Sequence, residues 1–389
     1  MKIHLITGAT GFVGKYLVNS LLEKSENVWI IVRQLDNVSS QKRAETIFED
    51  NISKWPKTFR IIAGDIMVGG LGVKDSIVNE LKDNEVVFWH LAANLSFASE
   101  NRADVQKTNY IGTINVLKFV NKTAKKFVHM STAYVCGDAN SFNENELFKG
   151  QKFRNHYEKS KFEGEKYVRE NCIPPLVIFR PSIIIGDAYQ GKAEGCTFGY
   201  YRYTFMFYFL KKQIIKALQK NGIAAFCLRA LGTIHDQKNG VLQTPWLIIP
   251  YPKNGIVDMV TVDYVIASMI KLYEKNLHGT AIHLTHHNPP SHRFILHSII
   301  YDVGFRNMKL IPVPTWMFRV MANSFYFLAV PIRKYIKSVM WYMPYITRTC
   351  HFDRAITEKY GENPPEITRE LIEKINSYAK EHILEHIEI

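Results

Sequence analysis

The sequence is poor in cysteine, with five residues, Cys136, Cys172, Cys196, Cys227 and Cys350, in a chain of 389. An odd number with no metal-site or redox-motif spacing argues against a disulfide framework and fits a reducing, cytosolic setting. Long apolar runs are also missing. The best candidate, "TWMFRVMANSFYFLAVPI" (315–332), carries Arg319 and Asn323 and meets Pro331, so no bilayer span is expected. The opening "KIHLITGATG" has too short an apolar run, and no cleavage site, for a signal peptide. No internal repeat, low-complexity linker or nucleic-acid recognition motif is visible, which ranks nucleic acid low among partners. Acidic charge is in deficit too: 36 Asp and Glu against 49 Lys and Arg leave a formal net charge of +13. That balance favours anionic partners such as phospholipid or a phosphate-rich small molecule.

What is present is ample material for a core, 47% hydrophobic residues, over a length that suits two domains or one large α/β unit with a lobe. Short apolar runs alternate with helical patterns. "KIHLITG", "VWIIVR", "FRIIAGD", "VVFWHLAA", "KFVHMSTAYV" and "LVIFRPSIIIG" read as buried strands. "GKYLVNSLLEK", "DSIVNELKDN", "NYIGTINVLKFVNKT" and "YEKSKFEGEKYVREN" read as the helices between them. Strands apolar throughout and separated by helices predict a doubly wound α/β domain around a parallel Rossmann sheet. We place it at residues 1–186, with the sheet revisited around 256–285. Residues 187–389 are expected to form a smaller, mostly helical substrate lobe built against it.

Several stretches carry chemistry. "TGATGFVG" follows a strand and opens a helix. Gly8, Gly11 and Gly14 let the backbone turn tightly and approach a pyrophosphate, and the helix N-terminus offers N–H groups and a positive dipole end. Thr7, Thr10, Phe12 and Val13 complete this expected dinucleotide site. At the end of the second strand Arg33 stands where an NAD site would place an acid, and a cation there suits the 2′-phosphate of NADP. Asp36, a few residues on, keeps NAD open, and Arg33 could equally be a solvated strand end. Asp65 and Ile66 of "AGDI", and Ala92, Ala93 and Asn94 of "HLAANLSF", follow two further strands. The first suits an adenine contact, and the small residues allow the cofactor to lie against backbone. Ser131 and Thr132 end another strand, and Tyr157 and Lys161 lie four apart on one helix face. A solvated surface pair is the plain alternative. The richer reading is a proton-transfer site, in which the ammonium favours the phenolate and lowers the tyrosine pKa.

"TGATGFVG", "AGDI", "HLAAN", "NYIGTINVL", "STAYVCG", "YEKSK" and "RPSIIIG" stand in the order found in extended short-chain dehydrogenases/reductases, which this chain resembles over about its first half. The resemblance implies that Thr132, Tyr157 and Lys161 are the catalytic hydroxyl, tyrosine and lysine. It also implies that Asn109 is the helix asparagine associated with the active site. Pro181, Ser182 and Ile183 would border the nicotinamide. "FWHLAANLSF" with "HMSTAYVCG" looks most like the male-sterility-type branch, which holds fatty acyl-CoA reductases and thioester-reductase domains. What that implies is NADPH-dependent reduction of an apolar acyl thioester, carried by coenzyme A or an acyl carrier protein, to an aldehyde, with onward reduction to an alcohol left open. Two other outcomes stay open: a dehydrogenase of a sterol-like or other secondary alcohol, and a non-catalytic NADP-binding regulator. The segment 191–256 matches no subfamily and is expected to carry substrate choice.

The histidine-rich segment 283–297 invites a metal reading, but no second cluster of acids or cysteines accompanies it and Pro289-Pro290 points to a loop, so no metal site is expected. The aromatic and basic run 200–220 suits an acyl pocket, a membrane surface with lysines reaching to phosphates, or a plain hydrophobic helix. Peripheral membrane contact therefore stays open, as does the oligomeric state.

Overall fold

The computed structural model describes residues 1–389 except 36, 221, 276, 329–339, 348–349 and 388–389. The chain divides into two compact units. The first comprises Met1–Ile184, Val262–Thr285 and Cys350–Pro364; the second comprises Ile185–Thr261, His286–Thr349 and Pro365–Ile389.

The first unit is built on seven parallel strands: β1 (Lys2–Thr7), β2 (Asn27–Val32), β3 (Phe59–Ala63), β4 (Glu85–His90), β5 (Lys126–Met130), β6 (Leu176–Pro181) and β7 (Thr280–Leu284). Their spatial order is β7-β6-β5-β4-β1-β2-β3. The order reverses between β1 and β4, which pair in parallel with Thr7 beside His90. Ligands of such sheets lie beyond the carboxyl ends of the strands at this reversal. The intervening helices are α1 (Phe12–Glu23), α2 (Ser40–Lys54), α3 (Asp75–Lys82), α4 (Arg102–Gln106), α5 (Gly112–Thr123), α6 (His156–Asn171) and α7 (Val262–Tyr273). The strands are apolar at nearly every position because both sheet faces are covered: Ile3, Leu5, Phe88, Phe127 and Ile178 are fully buried in one cluster with Val116, Leu117 and Val120 of α5.

Three details depart from the sequence reading. Helix α2 had no counterpart in it, since the segment is mostly polar. It is nevertheless capped by the Ser39 side chain, which accepts from Lys42 N, and it buries Ala44 and Phe48. The helix expected over "NYIGTINVLKFVNKT" begins earlier, at Arg102, and passes through a π turn, Lys107–Ile111, before α5. Cysteines far apart in sequence also meet. Cys136 and Cys350 are hydrogen-bonded to each other, and the contact raises the Cys136 thiol pKa together with its burial. Both pack beside Phe142, Phe162 and Phe352, where the strand His351–Phe352 runs parallel to Ser141–Phe142.

The second unit contains the long helix Tyr200–Gln219, the short helix Ile223–Ala230, and the helices His292–Val303 and Arg369–His382. Arg369 and Asn376 both reach the Asp302 carboxylate, joining the last two helices. Strands Ile248–Pro252 and Lys309–Val313 pair in parallel. Among the described residues no helix is long and apolar enough to cross a membrane. The helix Thr315–Leu328 covers part of the apolar segment singled out above, and the rest of that segment lies outside the described residues.

Candidate active site

The glycine turn is shaped by what a side chain would strike. Gly8 has φ +78°, and a Cβ there would lie 2.5 Å from the Ala92 nitrogen, so the turn presses on the backbone that follows β4. A Cβ on Gly14 would lie 2.2 Å from the Gly8 carbonyl oxygen, so α1 packs directly on the turn. Gly11 caps α1 without a side-chain bond, and the first turn holds no acidic residue. The first N–H groups of a helix have no partner within it, and here no carboxylate from α1 competes for them. Phe12 and Val13 open α1, and the Phe12 ring meets Tyr16 edge-on at 5.7 Å. Thr7 closes β1 with its hydroxyl 2.8 Å from His90 Nδ1. A cradle that a Cβ would fill, beside an uncapped helix start, fits a dinucleotide pyrophosphate.

Arg33 is exposed at the end of β2. Beside it stands a residue the sequence reading missed: Arg43 of α2 donates to the Arg33 carbonyl and to the Thr10 hydroxyl, both at 3.2 Å. Partial burial and the Arg33 charge both lower the Arg43 pKa. The Arg43 guanidinium thus reaches the glycine turn at Thr10, close enough to the Arg33 charge to feel it. Recognising Ser39 as a helix cap would have revealed Arg43 four residues later. Asp36 lies outside the described residues.

The loops after β3 and β4 are tied to the helices behind them. Asp65 accepts from Met67 N at 2.9 Å, and the Ile66 carbonyl accepts from the Asn115 amide at 2.9 Å. Ala92 and Ala93 are half-buried in the coil after β4. Asn109 is buried in the π turn and spends its whole amide on structure. Its oxygen accepts from Asn94 N at 2.7 Å, and its nitrogen donates to the Asn94 carbonyl and the Ser160 hydroxyl, both at 3.0 Å. Asn109 is therefore a positioning residue that fixes the β4 loop to α6.

The Thr132, Tyr157 and Lys161 side chains converge at the end of β5. The Asn155 side chain caps α6 by accepting from Glu158 N at 2.9 Å, which sets Tyr157 and Lys161 on one face of the first two turns. That face is buried, with Tyr157 8%, Lys161 4% and Thr132 4% exposed, so the solvated-pair alternative fails. Tyr157 hydrogen-bonds the Thr132 hydroxyl, and its ring lies 5.4 Å from that of Phe97. Thr132 also accepts from Tyr134 N at 3.3 Å and lies 3.5 Å from the Pro181 carbonyl. Lys161 donates to the Met130 carbonyl at 2.6 Å.

The expected lowering of the tyrosine pKa is corrected here. Burial raises Tyr157 well above its ordinary value, and the Thr132 bond opposes this only in part, while the Lys161 ammonium is directed at Met130 instead. Burial lowers Lys161 to about 8, against the pull of Glu165. His90 is lowered to about 3 by burial and by Lys161, so it is neutral. The two adjacent hydroxyls diverge, because Ser131 donates to Glu165 at 2.5 Å rather than joining Thr132. Pro181 faces Thr132. Ser182 donates its N–H to the Leu284 carbonyl at 3.1 Å, while its buried hydroxyl has no partner. Ile183 begins the strand Ile183–Ile185.

The histidines of 283–297 are engaged separately, His283 with the Asp353 carbonyl, His286 with Pro365 and His292 with Tyr203. Among the described residues no three His, Cys, Asp or Glu side chains gather to hold a metal.

With this geometry in view, the profile of the male sterility protein family matches residues 6–269. The chain belongs to that family. It is thereby placed among nucleotide-binding oxidoreductases of the extended short-chain dehydrogenase/reductase type. The probable fatty acyl-CoA reductase 5 of Arabidopsis thaliana is 26% identical over 342 residues, 75% of this chain and 67% of that protein. Fatty acyl-CoA reductase 8 of the same plant is 34% identical over 159 residues, and the match spans only 32% of its length. The terminal R domain of the myxalamid PKS-NRPS pathway has the same fold, with a TM-score of 0.73 and 19% identity over 97% of this chain and 90% of that domain.

For this male sterility family protein the cradle is testable by itself. Gly8→Ala places a Cβ in contact with Ala92 and costs about 1–2 kcal/mol from the left-handed backbone alone. The expected result is a lower melting temperature and loss of dinucleotide binding, read by thermal unfolding and by cofactor fluorescence.

Proposed function

We propose that this chain reduces an apolar acyl thioester, carried by coenzyme A or a carrier protein, with NADPH as reductant. The observation that carries the reading is the buried Thr132–Tyr157 hydroxyl pair, with Lys161 one turn along α6, at the end of β5. Membership of a family that includes fatty acyl-CoA reductases supports the substrate class.

When bound, a nicotinamide cofactor would supply the hydride for the carbonyl carbon; this chain's residues handle the oxygen. Thr132 and Tyr157 both donate to the carbonyl oxygen, where negative charge develops, and preorganised donors are worth most there. A raised Tyr157 pKa keeps the phenol protonated at neutral pH, which is the form needed to give a proton. Lys161, at about 8, is largely charged at neutral pH and can hold the cofactor ribose and return a proton toward Tyr157. The resulting hemithioacetal collapses to aldehyde and free thiol. Further reduction to an alcohol would repeat the same cycle.

The choice of NADPH rests on Arg43, which reaches the glycine turn at Thr10, and on Arg33 at the end of β2, whose carbonyl Arg43 holds. Replacing either by alanine is expected to raise the KM for NADPH about tenfold or more, the worth of a hydrogen bond to a charged group, with the KM for NADH unchanged. Equal effects on both cofactors would remove the arginines from 2′-phosphate recognition.

The reading as a whole is tested with a panel of acyl-CoA thioesters, following NADPH absorbance and free thiol together. Coupled loss of NADPH and release of thiol is expected. NADP reduction by secondary alcohols, with no turnover of any thioester, would overturn it.

A further inference from the structure

The short helix Ile223–Ala230 in the second unit carries its apolar face outward. Ala225 is fully buried and Leu228 half-buried, and Arg229, one turn from Ala225, donates to the Leu218 carbonyl at 3.1 Å. That side docks on the end of the helix Tyr200–Gln219. The opposite side holds Ile223 and Phe226, three apart on one helical face, and they are 85% and 73% exposed. Leu231 and Ile234, just beyond the helix, are 53% and 56% exposed. Large apolar side chains so grouped on a folded surface mark a contact with something else.

The charge around this face selects among occupants. From Gly195 to His235 the chain holds six Lys and Arg and no Asp or Glu. Lys216 and Lys220 are exposed in the last turn and at the end of the helix Tyr200–Gln219, on which the patch-bearing helix docks. A second copy of this chain would bring like charges together. An anionic surface would be attracted, and an apolar helix face flanked by lysines is the arrangement that lies in the plane of a lipid headgroup layer.

We propose that Ile223, Phe226, Leu231 and Ile234, flanked by Lys216 and Lys220, form a docking surface for an anionic phospholipid membrane. The apolar side chains enter the boundary between headgroups and acyl chains while the ammonium groups stay at the phosphates. The contact is peripheral. It would place the enzyme at the surface where apolar acyl chains partition, yet it does not depend on the reaction assigned above.

The test is flotation of the whole chain with phosphatidylcholine vesicles with and without phosphatidylserine. Binding is expected only to vesicles containing phosphatidylserine, and to weaken as salt is raised. The double variant Ile223→Ser, Phe226→Ser should lower the bound fraction about tenfold or more, and Lys216→Glu, Lys220→Glu should do the same. Because these side chains are exposed, all variants should melt like the parent. Flotation with neutral vesicles alone, no flotation with either, or binding unchanged in the serine variant would overturn the proposal. So would a concentration-dependent dimer that the same serine variant dissolves, since the face would then belong to a second copy.

Discussion

Replacing Tyr157 by phenylalanine is expected to reduce turnover by about 10²–10⁴-fold, the usual worth of a positioned general acid, with cofactor affinity nearly unchanged. The substitution removes one oxygen atom. The ring keeps its place against Phe97, and Thr132 keeps its contacts with Tyr134 N and Pro181. Single-turnover rates and a fluorescence titration of the cofactor separate the two quantities. The pH profile gives an independent reading. Lys161 titrates near 8, lowered there by burial, so its charged form dominates below that pH and is lost above it. The rate of the proton-transfer step should therefore fall as pH rises through about 8. Full activity in Tyr157→Phe would remove the residue from the chemistry.

The second large effect is on stability. Arg180 and Glu165 are both fully buried, and the Arg180 Nη2 lies 2.7 Å from Glu165 Oε1. Arg169 adds a bond to the same carboxylate at 3.0 Å, and Ser131 donates to its other oxygen. Arg180 also donates to the Glu146 carbonyl at 2.7 Å. Removing one partner leaves a buried charge without full compensation, so Arg180→Met is expected to cost about 3–5 kcal/mol. Urea unfolding measures it. The acid limb should change as well. Burial alone would raise the Glu165 pKa, but Arg180, then Arg169 and Ser131, outweigh it and hold it at about 2. The folded value lies below the ordinary 4.5, so this carboxylate's contribution is complete above that pH and is lost as pH falls from there toward 2. In Arg180→Met that part of the acid sensitivity should shrink. An unchanged midpoint and an unchanged acid limb would show that the pair contributes nothing net.

The parts of this protein that were legible in its sequence are those encoded locally. Strands such as "KIHLIT" and "VVFWH" are apolar at most positions because a doubly covered parallel sheet buries both faces, and that needs no knowledge of the rest of the chain. The glycine turn and the four-residue spacing of Tyr157 and Lys161 are equally local. What escaped was set by tertiary neighbours. Helix α2 is polar and bends where Phe48 leaves helical geometry, so its apolar period is weak and Arg43 went unnoticed. Ser131 and Thr132 look interchangeable in sequence, yet just beyond β5 one hydroxyl goes to Glu165 and the other to Tyr157. The motif points to Asn109 as the helix asparagine associated with the active site, but its spacing says nothing of the partners of its amide, Asn94 and Ser160. The direction of the Tyr157 pKa could not be inferred from spacing, because burial, not the neighbouring ammonium, decides it.

The central claim is that hydride reaches the carbonyl carbon of a thioester on this chain. It is tested most directly with an acyl-CoA and NADPH carrying deuterium at the transferable nicotinamide position. The account predicts thiol release together with a trapped aldehyde, or its alcohol, bearing deuterium on the former carbonyl carbon, and loss of that product in Tyr157→Phe. Thiol released with unlabelled carboxylic acid and NADPH intact would mean hydrolysis, and would contradict it.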